Sequence, residues 1–477
     1  MNARVDYLRM PGALAPLVMS LLLAGCVSMA PPYQRPAAPV AEVFPGTTAT
    51  GATSTAAADL EWQQFFGDAR LKQLIELALR NNRDLRVAVL NIEQARAQYQ
   101  IRRADQLPTV GAGISASRQP DRQNVSGSLY TAGLSVTAFE LDFFGRVRSL
   151  SDAALGQYLA TEEARKSAQI SLIASVANIY LGLLADEELL SLTRQTFKAR
   201  EESLGLTKLK FDNGVVSELD FRQAQSLLEG ARATLAQQMR QRAINENALI
   251  LLVGQPLPAS LSAGTTLAST VLGPELPAGL PSDLLVNRPD IRQAEQQLIA
   301  ANANIGAARA AFFPRISLTG SAGVASTELS GLFNGGTFAW SFAPQILLPI
   351  FDAGRNRANL GVAQATRSIA VAQYEKAVQT AFREVSDALA GHATYGEQLR
   401  AQQAQAEAEA ARFKLSDLRY QNGVASYLDL LDAQRSLFTV QQATVQTRLA
   451  QLQNQVTLYK VLGGGWKEPV SSGPAKD

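Results

Sequence analysis

Histidine and cysteine are almost absent from the 477 residues of this sequence, which contains one of each, His392 and Cys26. A single cysteine excludes an internal disulfide, and one histidine leaves little material for a His/Cys metal site or for histidine-based acid–base catalysis. The sequence also has no phosphate-binding glycine loop and no nucleophile elbow. We therefore expect no enzymatic activity, no cofactor and no metal.

An excess of charge of one sign is missing as well. The 44 Lys and Arg residues nearly balance the 42 Asp and Glu residues, for a net charge of +2. A chain so close to neutrality offers no electrostatic case for a nucleic-acid partner. Its length is sufficient for two or more ordinary domains.

The N-terminus has the pattern of a secretory signal. Basic residues precede an apolar stretch at 13–24, which ends in Leu23-Ala24-Gly25-Cys26. This ending resembles the bacterial lipobox, in which the cysteine is lipidated and becomes the mature N-terminus. Val27 stands where an Asp retains lipoproteins at the inner membrane, so the resemblance points to the outer membrane. The alternative is an apolar helix with a chance cysteine, although this stretch is too short to span a membrane.

Composition divides the rest of the chain into segments. The proline-rich stretch after Cys26 predicts an extended tether outside the core. The predicted segments are a lipoprotein signal peptide (1–25), a lipid-anchored extended segment (26–60), a first repeat (61–254), a linker (255–282), a second repeat (283–465) and a flexible tail (466–477).

Four stretches of ten or more residues alternate apolar with small or polar residues, which predicts two β-hairpins. They lie at about 108–118, 129–141, 314–325 and 337–349. Each is long enough for a tilted strand that crosses a membrane, and Phe139, Phe143 and Phe144 would suit an interfacial girdle. A soluble hairpin packed on helices remains the alternative for the first pair.

Long helical runs follow each hairpin, and the two halves of the chain repeat each other. Gly145 and Asn213 recur as Gly354 and Asn422, both at an offset of 209 residues. Each half therefore reads as helix, β-hairpin, long helix, tip, long helix. The predicted fold class is mainly α with a transmembrane β part. Four strands cannot close a barrel, and open sheet edges are not tolerated in lipid, so three copies would supply a 12-stranded β-barrel.

The two tips, at 211–220 and 420–429, have matched turn chemistry. Gly214 and Gly423 suit the left-handed conformation that ends a helix. Ser217 and Ser426 suit the N-cap of the next helix, each with an Asp three residues later in a capping-box arrangement.

With the lipobox, the doubled plan and the paired Asn-Gly-Val tips, residues 26–465 resemble the outer-membrane factor family, the TolC-like efflux channels. The similarity is to the lipoprotein branch that serves resistance-nodulation-division pumps. It implies a homotrimer whose β-barrel in the outer membrane is continuous with a periplasmic α-helical barrel. The implied function is a passive exit duct for drugs and small molecules, opened at its tips by a periplasmic adaptor and the inner-membrane pump. A lipid-anchored coiled-coil strut without a pore is the competing interpretation.

The resemblance also assigns roles to residues of the tips. The implied constriction residues are Asp429, Asp432, Tyr420, Asp220 and Arg222, and the implied adaptor-contact residues are Asn213, Gly214, Val215, Asn422, Gly423 and Val424. Ala425 stands where the family has an Arg in its closing network, so closure would depend on Tyr420 with Asp220 or Arg222. Helix capping is an alternative role for Asp220 and Asp429.

Overall fold

The structure is a computed structural model that describes residues 28–45, 57–120, 126–262, 264–274, 276, 284–285 and 287–466. Cys26 and the predicted signal segment lie outside these residues. The longer helices are α1 (Ala69–Asn81), α2 (Arg83–Ala104), α3 (Arg146–Asp212), α4 (Glu218–Val253), α5 (Pro289–Ala310), α6 (Arg355–Gln421) and α7 (Tyr427–Val461). The strands are β1 (Val110–Pro120), β2 (Ser126–Leu141), β3 (Arg315–Ser326) and β4 (Phe338–Leu347), and short helical turns lie at Ala57–Asp59, Trp62–Phe65 and Leu329–Gly331.

The internal repeat is visible in the lengths of the elements. Helices α2 and α5 have 22 residues each, and α3 and α6 have 67 each. A 67-residue helix is about 100 Å long at a rise of 1.5 Å per residue. The fold class is therefore the predicted one: two helix–hairpin–long-helix repeats with four strands.

The chain forms two compact units, and the first contains the sheet. It comprises Asn91–Glu162 and Gln293–Lys376 with the segment that ends at Ala37. The four strands form one antiparallel sheet in the order β1-β2-β3-β4. The edges of this sheet are therefore β1 and β4.

The two faces of the sheet differ in chemistry. Successive residues of a strand point to opposite faces, so cross-strand partners share a face. One row pairs Ala112, Leu134, Ala322 and Trp340, and the next row, on the other face, pairs Ser135, Ser321 and Ser341. The first face continues with Ile114 and Phe342, which like Trp340 are more than 60% exposed, whereas hydroxyl pairs such as Ser321–Ser341 (2.7 Å) lie on the second.

A β-bulge interrupts this alternation in β2. The sequence pattern places Ala138 with Val136 on the apolar face, but the register with β3 shifts between Val136 and Phe139. Ala138 takes a positive φ of 51°, and Phe139 pairs with Leu318 instead. The expected alternation is wrong over these residues because an extra residue in one strand reverses the faces of those that follow.

The segment before Ala37 is extended, yet it packs against α5 in place of the expected separation from the core. Arg35 makes a bidentate ion pair with Glu295, at 2.7 and 2.9 Å, and the Tyr33 hydroxyl donates to the same carboxylate at 2.9 Å. Asn302 donates to the carbonyl of Pro31 at 2.7 Å. The proline content of this segment indicates backbone stiffness, whereas docking depends on individual side chains. Composition therefore does not predict these polar contacts.

The second unit comprises Ala38–Leu90, Glu163–Arg292 and Ala377–Asp477, and it contains both helical tips. Its core includes the apolar face of α1, where Leu74, Ile75 and Ala78 are fully buried. Asp68 caps α1 and also accepts hydrogen bonds from Tyr180 (2.9 Å) and the Thr265 hydroxyl (2.6 Å). This buried carboxylate joins α1, α3 and the segment after α4.

One helix in the described chain, α3, is apolar enough over 18 residues to cross a membrane, with a mean hydropathy of 1.7. About two thirds of that window (67%) is buried inside the protein. Such burial is typical of a core helix, so this stretch needs no lipid to explain its composition.

Candidate functional site at the hairpin tips

Each tip of the second unit closes with the same backbone turn. Gly214 and Gly423 have φ values of +73° and +71°, in the left-handed region where a Cβ is costly. The amide of Val215 donates to the Lys210 carbonyl at 2.8 Å, and the amide of Val424 donates to the Arg419 carbonyl at 2.9 Å. These six-residue hydrogen bonds, with those of the glycine amides, form the Schellman motif that ends a helix.

A complete capping box begins the next helix at both tips. Ser217 Oγ accepts from the Asp220 amide at 3.2 Å, and the Ser217 amide donates to Asp220 Oδ2 at 3.2 Å. Ser426 and Asp429 repeat this exchange at 3.2 and 3.1 Å. The capping function considered for both aspartates is therefore present in the structure.

The pKa of Asp429 is lowered from its ordinary value, chiefly by the hydrogen bond from the Ser426 hydroxyl and then by the one from the Ser426 amide. Both donors favour the carboxylate over the neutral acid. The charge on Asp429 therefore persists through the physiological pH range.

Asp432, one helical turn further along α7, is bound by arginines. Arg412 Nη2 of α6 lies 2.5 Å from Asp432 Oδ2, and Arg435 Nη2 lies 3.5 Å from Oδ1. Arg412 also contacts Glu409, at 3.2 Å, and the Asp432 side chain is 48% exposed. Hence the structure gives Asp432 an ion-pair network, while Asp429 has a capping box.

The two helical hairpins, α3 with α4 (the first hairpin) and α6 with α7 (the second hairpin), contact each other through Tyr427. Its hydroxyl lies 3.0 Å from Ser203 Oγ of α3, so α7 and α3 are joined by a hydrogen bond. The ring is 7% exposed and packs in a cluster with Ala224 and Leu431. This polar contact inside an apolar cluster fixes how the two tips sit against each other.

Tyr420 provides a second link between the hairpins. Lys210 Nζ donates to the Tyr420 hydroxyl at 3.3 Å and lies 4.8 Å from the centre of its ring. Arg222 instead binds Glu218 and Gln225 of its own helix, at 3.2 and 3.1 Å. Among the described residues of this single chain, the expected pairing of Tyr420 with Asp220 or Arg222 is not formed.

A buried arginine lies between the same helices. Arg200 is 6% exposed, donates to the Leu227 carbonyl at 3.0 Å and lies 5.4 Å from the Phe438 ring. The pKa of Arg200 is lowered because burial disfavours its charge and because Arg435 is nearby. The charge is accommodated by a carbonyl and an aromatic face.

Sequence reasoning missed Tyr427, Ser203, Lys210 and Arg412. A signal was available in the repeat, because Tyr427 stands where the first repeat has Glu218 and Arg412 stands where it has Ser203. A position that changes chemistry between otherwise matched tips marks a place where the two hairpins differ in environment.

The turn at each tip is accessible and carries one exposed valine. Val215 and Val424 are 70% and 67% exposed, and no atom lies within 4 Å of where a Cβ would stand on Gly214 or Gly423. Asn213 and Asn422 donate back to the Leu209 and Leu418 carbonyls at 2.7 Å. The six residues expected to contact an adaptor thus form two equivalent, accessible turns.

The residues of the described chain contain no group of three or more His, Cys, Asp or Glu side chains that could hold a metal ion. The acidic residues at each tip are engaged in capping and ion pairs within the chain.

A long pair of helical repeats, a two-faced four-stranded sheet and matched capped tips define a membrane channel of the efflux type. The chain matches the family described as Outer membrane efflux protein over residues 74–255 and 280–464, and it belongs to that family.

Relatives support the same assignment. The chain is 51% identical to the solvent efflux pump outer membrane protein SrpC of Pseudomonas putida, over 94% of this chain and 98% of that protein. It is 46% identical to the outer membrane protein OprJ of Pseudomonas aeruginosa, over 95% of each chain. The protein is thus an outer-membrane channel and a component of an efflux pump, a transport protein and not an enzyme.

Solved structures agree in fold. The open state of the MtrE outer membrane channel of Neisseria gonorrhoeae matches with a TM-score of 0.85 and 44% identity, over 92% of this chain and 99% of that chain. The TolC-like assignment made from the lipobox, the repeat and the tips is confirmed.

Proposed function

We propose that three copies of this chain close their sheets into one 12-stranded β-barrel in the outer membrane. The observation that carries this proposal is the single four-stranded sheet with edges at β1 and β4. Unpaired backbone groups cost several kcal/mol each in hydrocarbon, so an open sheet cannot stand in lipid. Pairing β4 of one copy with β1 of the next satisfies every edge.

The two faces of the sheet support this arrangement. Trp340 and Phe342, 71% and 64% exposed, suit contact with lipid. The hydroxyl rows, such as Ser115–Thr131 at 2.8 Å, suit a water-filled lumen. A coiled-coil strut without a pore would have no use for an exposed sheet with one apolar face and one hydroxyl face.

The tips are the proposed periplasmic gate and docking surface. Asp220, Asp429 and Asp432 supply the carboxylates of the constriction, with Tyr420 and Arg222 beside them. The accessible turns around Gly214 and Gly423 receive the helical hairpins of a periplasmic adaptor, which links the duct to a resistance-nodulation-division pump. The name of the relative SrpC specifies solvents and that of the relative ArpC specifies antibiotics, so small apolar molecules and drugs are the proposed cargo.

The lipid anchor is the remaining part of the proposal. Acylation of Cys26 would attach the mature N-terminus to the periplasmic side of the membrane, a few residues before the segment that packs on α5. The contacts of Tyr33 and Arg35 with Glu295 support this function because they would keep the anchor close to the sheet-bearing unit.

Planar-bilayer recording of the purified protein tests the duct. We expect a heat-resistant trimer on native and semi-denaturing gels, with discrete single-channel steps. A folded trimer that leaves the bilayer silent would favour the strut, and a monomer would contradict the barrel itself.

Mass spectrometry of the mature N-terminus tests the anchor separately. The first residue is expected to be an acylated Cys26. An uncleaved chain, or a free N-terminus elsewhere, would contradict lipidation while leaving the barrel unaffected.

A further inference from the structure

The contacts between the two hairpins of one chain contain information about the contacts between chains. The hairpins are equivalent at an offset of 209 residues: Gly214 and Gly423 have the same turn, and Ser217 and Ser426 have the same cap. In a closed ring of three chains, first and second hairpins alternate. Each hairpin then uses one flank toward the hairpin before it and the opposite flank toward the hairpin after it.

Within one chain, Ser203 of the first hairpin contacts Tyr427 of the second, and Lys210 of the first contacts Tyr420 of the second. In the second hairpin, the positions equivalent to Ser203 and Lys210 are Arg412 and Arg419. In the first hairpin, the positions equivalent to Tyr427 and Tyr420 are Glu218 and Phe211. We propose that Arg412 of one subunit pairs with Glu218 of the partner subunit and that Arg419 lies over the ring of Phe211 of the partner subunit. This inference rests on the proposed trimer.

The chemistry of the transposed pairs is complementary. A hydroxyl–hydroxyl hydrogen bond within the chain becomes an ion pair between chains, and a lysine–tyrosine cation–π contact becomes an arginine–phenylalanine one. Opposite charges at a subunit contact select the partner and its orientation.

The residues concerned are accessible in the single chain. The Arg412 and Glu218 side chains are 45% and 65% exposed, although each has an ion-pair neighbour in its own chain. Phe211 stacks on Phe221 with ring centres 5.5 Å apart, forming an aromatic platform at the flank of the first tip. Arg412 and Glu218 can therefore meet a second copy without unpacking a core.

One transposed contact is not complementary. Within one chain Arg200 lies over the ring of Phe438. The equivalent positions are Glu409 and Glu229, so between chains Glu409 would face Glu229 of the partner subunit. Each of these acids already has an arginine in its own chain, Glu409 with Arg412 and Glu229 with Arg232 at 2.9 Å. Arg412 is shared by Glu409, Asp432 and the proposed contact with Glu218, so the repulsion between the two acids is only partly offset and this contact does not support the pairing.

Thiol cross-linking tests the transposed contact directly, because Cys26 is the only cysteine in the natural sequence. Arg412→Cys combined with Glu218→Cys, treated with a short bis-maleimide in the full-length membrane protein, should give covalent dimers and trimers on a denaturing gel. Ser203→Cys combined with Tyr427→Cys is the matched control, and it should link within one chain and run at monomer mass. The natural protein and each single cysteine variant should give no ladder.

The outcomes separate this inference from the trimer proposal. A trimer on native gels without a covalent ladder overturns the interface and leaves the trimer standing. Absence of the trimer from native gels of the natural protein overturns both.

A charge exchange provides a second measurement. Arg412→Glu also removes the ion pair with Asp432, so its effect is compared with that of Glu218→Arg. Each single variant should weaken trimer association. Loss of an exposed ion pair should lower the association constant of the trimer about threefold per interface, or about thirtyfold over three interfaces. The combined variant should recover most of that loss, and failure to recover it overturns the pairing. Arg400→Glu, which breaks an exposed pair with Glu397 within α6, is the control and should leave association unchanged.

Discussion

The hydroxyl of Tyr427 lies 3.0 Å from Ser203 Oγ, and this hydrogen bond joins the second hairpin of the chain to the first. Tyr427 is the first residue of α7, and Ser203 lies near the C-terminal end of α3. Any movement of one tip away from the other must break this bond and uncover the cluster of Tyr427, Ala224 and Leu431.

Replacement of Tyr427 by Phe keeps the ring and removes the bond. We expect each tip contact to weaken by about 1 kcal/mol, the net contribution of one such hydrogen bond, so the open fraction in planar bilayers should rise about fivefold for each contact that must open. Ser203→Ala removes the same bond from the other side, so the double variant should resemble either single one. Additive effects of the two changes would show that the residues act independently.

The charge of the aspartates at the second tip can be separated from their capping function. Asp429→Asn keeps an oxygen that accepts from the amide of the N-cap residue Ser426, and together with Asp432→Asn it removes up to six charges from a trimeric constriction. Cation selectivity and block by divalent cations should both decrease in single-channel recordings. An intact trimer of the double variant with unchanged selectivity would exclude these residues from the pore.

The pH dependence of that selectivity follows from the same site. The pKa of Asp429 lies below its ordinary value because Ser426 donates to the carboxylate. The contribution of Asp429 should therefore persist down to about pH 4, the ordinary aspartate range, and be lost only as pH falls further. Ser426→Ala removes the donor, so its selectivity should decline at a higher pH than that of the natural protein.

The accessible turn of the second tip gives a sharper adaptor test than a bulky residue at Gly423. Gly423→Trp would weaken pump assembly, but the φ of +71° also strains any such side chain. Val424→Glu changes an exposed apolar contact without that strain, so it should reduce cross-linking to the adaptor and efflux while the trimer stays intact. Gly423→Asn, which tolerates the left-handed conformation, is the control and should retain assembly. Unchanged adaptor cross-linking in Val424→Glu would contradict docking at this turn.

The sheet contains one place where two backbones approach too closely for a side chain. A Cβ on Gly133 of β2 would lie 2.5 Å from the Ala322 carbonyl oxygen and 2.7 Å from the Gly323 Cα. Gly133→Ala should destabilise the sheet by about 1–3 kcal/mol and lower the yield of heat-resistant trimer. Gly113→Ala, in the same row but with no atom within 4 Å, is the matched control. Equal yields from both variants would show that the close approach is not required.

Buried Asp68 links stability to pH. Burial by itself would raise the pKa of Asp68, but hydrogen bonds from Thr265, Leu71 and Tyr180 outweigh it and lower the pKa. A carboxylate with a depressed folded pKa stabilises the protein above the unfolded value of about 3.9, and this stability is lost as pH falls through the folded pKa. Asp68→Asn should thus lower the unfolding temperature most near pH 7, with a difference that shrinks below about pH 4. A constant difference across pH would mean that the charge contributes nothing.

The sequence by itself determined the order of elements and the chemistry of the tips. Glycine after a helix and Ser-x-x-Asp before the next are local signals, since the turn and the cap involve residues within six positions of each other. The offset of 209 residues between Gly214 and Gly423 likewise needs no structure to be seen. Alternation located all four strands for the same reason, because side-chain direction along a strand depends only on parity.

Tertiary structure decided what lies across from each of these residues. The bulge at Ala138 depends on the pairing of β2 with β3, and a sequence pattern cannot show an extra residue that only a partner strand defines. Tyr427 with Ser203, separated by 224 positions, and Arg35 with Glu295, separated by 260, are long-range contacts. Periodicity carries no information about such pairs, because helices of the same local pattern can pack in several registers, and only the packed chain selects one.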